Sequence, residues 1–160
     1  SRINAEMKYL GAFTTEFEIG PVTVTPIPIS HPDQGSGYKF TEDGKSFVFL
    51  TDNELGFVHP GGLTYSDYLE FCTGADLLIH DAEYLPEEYP STLKWGHSVF
   101  TETLDLALEA EVKRFGLFHI NQERTDQQMD KIVEICKQTI ADKGSPLECF
   151  AVGCDMTFSL

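Results

Sequence analysis

Apolar residues recur along this chain with two different periods, and the two kinds of stretch are not mixed evenly. Period two comes first, as expected of strands with one face buried. Thr14 to Ile19 alternates, and Val22 to Ile29 is β-rich, with prolines that predict an edge or an ending strand. A turn-rich loop from Ser30 to Gly37 leads into a hairpin, in which Tyr38–Thr41 and Ser46–Leu50 flank the turn Glu42-Asp43-Gly44. Beyond a Gly- and Pro-rich loop from Asn53 to Leu63 the spacing changes. Tyr65 to Cys72 predicts a helix, and Ala75 to Ile79 a short buried strand ending at His80. A loop rich in Glu, Pro and Tyr runs to Gly96-His97-Ser98, and Thr101 starts a second helix. Phe115 to Phe118 is a strand ending at His119. The longest helix spans Asp126 to Asp142, turning Met129, Ile132, Val133, Ile135, Cys136 and Ile140 inward, and Lys143-Gly144-Ser145-Pro146 stops it. Leu147–Val152 and Thr157–Leu160 read as closing strands. Strands first, then helix and strand in alternation, is the order of an α/β (α+β layered) domain, and of one half of it.

Composition narrows what such a domain can do. A chain of 160 residues fits one domain, 1–160, large enough to bury a core. The net charge of −15, with only 11 Lys and Arg, argues against a grip on nucleic acid by this chain alone. No run approaches the roughly 18 apolar residues of a membrane span. The four cysteines, Cys72, Cys136, Cys149 and Cys154, have no framework spacing and read as buried free thiols in a reducing cytoplasm. Ser1-Arg2-Ile3-Asn4 shows no signal pattern and no initiator Met, so the chain is expected to begin inside a longer product.

The informative pattern is where the histidines fall. His31, Asp52, His80 and His119 each follow an apolar strand, and His97 follows a glycine before a helix. Side chains just past strand ends sit on rigid supports and can converge on one rim of a sheet, where ligand sites of layered α/β proteins gather. Imidazole nitrogen and carboxylate oxygen suit zinc, and also manganese or iron. A single such histidine is ordinarily a surface or hydrogen-bonded residue; it is the recurrence that raises a metal site. His59, in Phe57-Val58-His59-Pro60-Gly61-Gly62, reads as solvated, and Trp95 with Tyr84 and Tyr89 reads as a substrate wall or as loop aromatics packed on the core.

Ser30-His31-Pro32 with Gly37-Tyr38, then Leu50-Thr51-Asp52-Asn53, Ala75 through Ala82, Gly96-His97-Ser98 and Leu117-Phe118-His119 occur in that order. Together they resemble the later motifs of the metallo-β-lactamase superfamily, in the branch of ribonuclease Z and the cyclic-phosphate phosphodiesterases. The resemblance covers roughly residues 22–126. It implies a metal-dependent hydrolase, of phosphodiesterase type, on the C-terminal half of a metallo-β-lactamase αβ/βα sandwich. It also implies two divalent metal ions, zinc foremost. By the same resemblance, His31 completes the shell of one metal, Asp52 bridges both and His119 completes the second. His97 meets the scissile phosphate and helps protonate the leaving oxygen, and His80 supports the shell from behind.

The family's strongest signature, His-x-His-x-Asp-His, occurs nowhere in the sequence. Without it this chain alone is expected to be a poor hydrolase. Its expected partners are a small phosphodiester, the missing N-terminal half of the domain (in cis or from another chain), no membrane, and a second copy in a homo-oligomer. Two alternatives stand beside this: a thioester or lactam hydrolase on the same fold, and a non-catalytic binding or assembly module.

Overall fold

The computed structural model describes residues 15–160; Thr14, where the first alternating run begins, and Ser1 to Asn4 lie outside the described residues. Seven strands form one sheet in the order in which they occur: β1 (Phe17–Ile19), β2 (Val22–Pro28), β3 (Ser36–Glu42), β4 (Lys45–Leu50), β5 (Leu77–Asp81), β6 (Arg114–Phe118) and β7 (Glu148–Ala151). The pairings β1–β2, β2–β3 and β3–β4 are antiparallel, as hairpins require. From β4 onward every pairing is parallel. The parallel strands are joined by α1 (Tyr65–Cys72), by α2 (Tyr89–Thr92) with α3 (Phe100–Glu109), and by α4 (Asp126–Asp142).

Parallel crossovers are almost always right-handed, and here each steps the same way across the sheet, so the helices collect on one face. There they bury the main core, which includes Val48, Leu50, Leu78, Phe115 and Leu117 from the sheet with Tyr68, Leu104, Leu106, Ile132 and Cys136 from the helices. Among the described residues no helix is long and apolar enough to cross a membrane.

Four sequence expectations change. The second helix begins at Phe100, with Val99 as its cap, and a further short helix, α2, lies in the loop before it. Thr157–Leu160 is not a strand. Phe158 instead packs at a tilt on Phe150 of β7 at 5.2 Å, and the Arg114 guanidinium donates to Ser159 O at 2.8 Å, so side-chain packing holds the tail without a ladder. The prolines of β2 do not mark an edge of the whole sheet, since β2 lies between β1 and β3. The described pairing with β1 nevertheless ends at Val24, and Pro26 and Pro28 fall beyond it, where a missing N–H costs no ladder bond on that side. Of the cysteines, Cys72, Cys136 and Cys149 are buried and free, whereas Cys154 is free but exposed, because it follows β7 in a turn.

Candidate metal centre

β2 runs antiparallel to β3 and β3 to β4, so β2 and the parallel strands end at the same rim of the sheet. His31 follows β2, Asp52 follows β4, His80 lies in β5 and His119 follows β6. Asp52 and His119 both take left-handed backbone conformations, with φ of 55° and 46°. Such angles are costly for residues other than glycine, about 1–3 kcal/mol each, and persist where the surroundings over-determine them. Here the chain turns abruptly off two strands, and the two side chains approach to 3.4 Å at the rim.

The four site residues proposed from sequence converge. His31 and His97 meet edge to face with ring centroids 5.6 Å apart, His97 stacks on His119 at 4.6 Å, and His119 Nε2 lies 3.4 Å from Asp52 Oδ1. Two groups of potential ligands result: His31, Asp52 and His97, and Glu83, His97 and His119, the chosen donor atoms of each group all within 4.8 Å of one another. His97 belongs to both. Glu83 was not anticipated; its Oε2 lies 3.3 Å from His119 Nδ1 and 3.6 Å from His97 Nε2. Glu83 Oε2 and His97 Nδ1 are buried with no hydrogen-bond partner. Buried polar atoms are rarely left so, and imidazole nitrogens and carboxylate oxygens gathered in one space are what a divalent cation uses. The donor set fits a metal.

His80 belongs to neither group. It is wholly buried, with Nδ1 2.9 Å from Asp81 O and Nε2 3.3 Å from the Asn53 amide nitrogen. Behind the rim stand five polar side chains with no exposed surface: Ser30, Asn53, Glu54, Asp81 and Ser98. Asn53 Oδ1 accepts from Ser30 N at 2.8 Å; Asp81 accepts from Asn53 N at 3.0 Å and from Ser98 N at 2.7 Å. Ser98 Oγ donates to Asn53 O at 2.5 Å and accepts from Leu55 N at 3.0 Å. These bonds tie together the loops that carry His31, Asp52 and His97. Asp81 Oδ2 also lies 3.8 Å from His97 Nδ1.

Glu54 fastens the His97 loop from the other side. Its Oε1 accepts from Tyr89 Oη and Lys94 N, each at 2.7 Å, while Oε2 accepts from Gly96 N at 2.9 Å and pairs with His59 Nε2 at 2.7 Å. His59 is therefore not solvated as expected: it is buried, held by the carboxylate beneath its glycine-rich loop. Gly96 has φ of 96°, and a Cβ there would overlap the His31 ring, so only glycine lets the two loops meet. Tyr84 is buried and meets His97 edge to face at 6.2 Å; burial, then the Glu83 charge, pushes its phenol up to about 12. Tyr89 is bound to Glu54, and Trp95 is 61% exposed, so neither packs into the main core.

Comparison with known proteins identifies the family and the fold. The family described as "Beta-lactamase superfamily domain" matches residues 10–120, more than half of the chain. Ribonuclease Z of Brevibacillus brevis is 34% identical over 93 residues, which is 58% of this chain and 29% of that protein. A metallo-beta-lactamase fold protein from Bacillus subtilis superposes with a TM-score of 0.68 at 16% identity, covering 92% of this chain and 54% of that one. The short form of human tRNase Z gives 0.62 at 19% identity, over 89% of this chain and 45% of that one. The fold is thus that of the metallo-β-lactamases, and the chain spans about half the length of these solved structures.

Proposed function

Since this chain belongs to the beta-lactamase superfamily, we propose that it carries the later ligands and the proton donor of a metal-dependent phosphodiesterase, acting on a small phosphodiester. The observation that bears most weight is that His31, Asp52, Glu83 and His119 gather around His97 on one sheet rim. The likeness to ribonuclease Z supports phosphodiester chemistry, and the net charge of −15 favours a small substrate over an extended polyanion.

In this reading His31, Asp52 and His119 would hold two divalent ions, zinc foremost, with Asp52 shared and Glu83 as a further oxygen ligand. Bound there, the ions supply Lewis-acid polarisation of the phosphoryl oxygens and a water acidified toward neutral pH. His97 gives a proton to the departing alkoxide. Its ring is fixed for that task by the His119 stack, the Tyr84 edge and Asp81 behind Nδ1. His80 and Asn53 support Asp81 from beneath.

If His97 coordinated both ions, neither of its nitrogens would be left to donate a proton. Kept as the donor, it leaves one ion with only His31 and Asp52 from this chain, short of the about three protein ligands a catalytic zinc needs. We therefore read the chain as one portion of the domain, its shells completed by ligands from further polypeptide, and as a poor hydrolase by itself. Free thiols support a reducing, cytoplasmic setting.

Metal content by mass spectrometry, paired with turnover of bis(p-nitrophenyl) phosphate and of a thioester by a preparation containing the complementing polypeptide, tests the reading. Asp52→Ala is expected to lose metal. His97→Ala is expected to keep it and lose phosphodiester turnover about 10²- to 10⁴-fold. A His97→Ala protein stripped of metal would make His97 a ligand and refute its role as donor.

A further inference from the structure

Between the candidate centre and the loop after β6 lies a cleft of about 390 Å³, lined by Glu83, Tyr84, Thr92, Trp95, His119 and Asn121 among others. That size falls within the roughly 300–1,000 Å³ of small-molecule sites. Two of its walls, Glu83 and His119, are candidate metal ligands, so whatever occupies the cleft adjoins the reacting centre. Trp95 is the chain's sole tryptophan, and 61% of it is exposed.

That exposure is built in. Lys94 and Gly96, its two neighbours, both take left-handed conformations, with φ of 73° and 96°. Their backbone N–H groups are held by the two oxygens of the same buried carboxylate, Glu54, at 2.7 and 2.9 Å. One glutamate thus pins the backbone on either side of Trp95 and leaves the indole between them at the surface. A strained backbone over-determined by buried hydrogen bonds, presenting a large aromatic face beside a candidate site, is a pattern of function more than of folding. The cleft also holds the carboxylates of Glu83 and Glu123, which disfavour an anion within it.

We infer that the Trp95 cleft is the subsite for a planar, uncharged aromatic group of the substrate, nucleobase or aryl, stacked on the indole while the adjoining anionic ester meets His119 and His97. This deepens the proposed reading and rests on it for the ester. Stacking on an exposed aromatic is tolerant of ring identity and needs no charge, which suits the acidic walls.

Because Trp95 is the only tryptophan, its emission reports on the subsite directly. Adenosine 5′-monophosphate, phenyl phosphate and ribose 5-phosphate, titrated into the chain without added metal, separate ring from phosphate. Saturable quenching by the first two and not by ribose 5-phosphate is expected. In calorimetry Trp95→Ala is expected to weaken adenosine 5′-monophosphate binding about tenfold, a loss of about 1.4 kcal/mol, and Trp95→Phe to retain most of it. Equal responses to all three ligands, or none, would overturn the subsite. So would emission that shifts with protein concentration and ignores the ligands, since that assigns Trp95 to a protein contact. The metal loss of Asp52→Ala is independent of Trp95, so each idea can fail alone.

Discussion

Glu54 has no exposed surface, yet four hydrogen-bonding groups converge on its carboxylate. Its partners Tyr89, Lys94 and Gly96 lie 35 to 42 residues away along the chain. Burial, then the bond to Glu54, holds the Tyr89 phenol well above its ordinary range. Removing the carboxylate would strand two backbone N–H groups and an imidazole, and breaking such a buried cluster typically costs about 3–5 kcal/mol. Glu54→Ala is expected to lose that much unfolding free energy in urea; a loss below about 1 kcal/mol would mean that water or a rearranged loop satisfies the stranded groups. His31, Asp52, His97 and His119 could be picked out from sequence because each stands just past an apolar run or beside a glycine. Glu54, Asp81 and Glu83 could not be picked out the same way. An acidic residue in a polar loop looks solvated until the fold supplies its partners. Asp81 did carry one signal, since it closes β5 within the Ala75–Ala82 segment that carries the resemblance, and Glu83 follows two residues later.

The helices were the most legible elements, and their ends follow local chemistry. α1 and α4 have the bounds that periodicity predicts, and α4 is closed by a capping box: Thr125 Oγ1 accepts from Gln128 N, and Gln128 Oε1 accepts from Thr125 N. Strands depend on distant partners, which is why Thr157–Leu160 has a strand's pattern but pairs with no strand among the described residues. At the end of the sheet opposite the candidate centre, Asp76 clasps three strands. It accepts from Lys113 Nζ at 2.7 Å beside β6, from Ser46 N at 2.9 Å in β4 and from Lys45 Nζ at 3.2 Å. The Lys113 bond first, then the Ser46 N–H, holds its carboxyl well below the usual range against the opposing effect of burial. A depressed folded value means that the stabilisation is present above the unfolded value of about 3.9 and is lost as pH falls below it. Asp76→Asn is therefore expected to lower the urea midpoint at pH 7, and the gap from the parent should shrink steadily below about pH 4. A gap that persists unchanged at pH 3 would trace the effect to packing instead of charge.

All the long helices lie on one side of the sheet, so the molecule as a whole has a second face to account for. Cross-strand neighbours point to the same side, and register links Phe17, Val24, Phe40, Phe47 and Leu77 in one row and Phe49, Ile79, Gly116 and Phe150 in another. Val24, Leu77 and Ile79 are buried yet stand outside the main core. Phe40 stacks on Phe47 at 5.5 Å, and Phe49 meets Phe118 at 5.7 Å, but the rings on this face are only half-buried. A sheet apolar on both faces is a middle layer, and it calls for a second layer such as the sandwich implied by the sequence resemblance. Among the described residues no such layer is present, and we propose that the chain self-associates through Phe40, Phe47 and Phe49, against the mutual repulsion of a net charge of −15. The two forces answer oppositely to salt: screening weakens the repulsion and leaves the apolar attraction in place. Sedimentation should therefore show association that strengthens from low to high salt, and Phe47→Glu should shift it toward monomer with the secondary structure unchanged. A parent chain that stays monomeric at every salt concentration would show that its own residues suffice to cover the face, and would remove the strongest physical reason for expecting a complementing half.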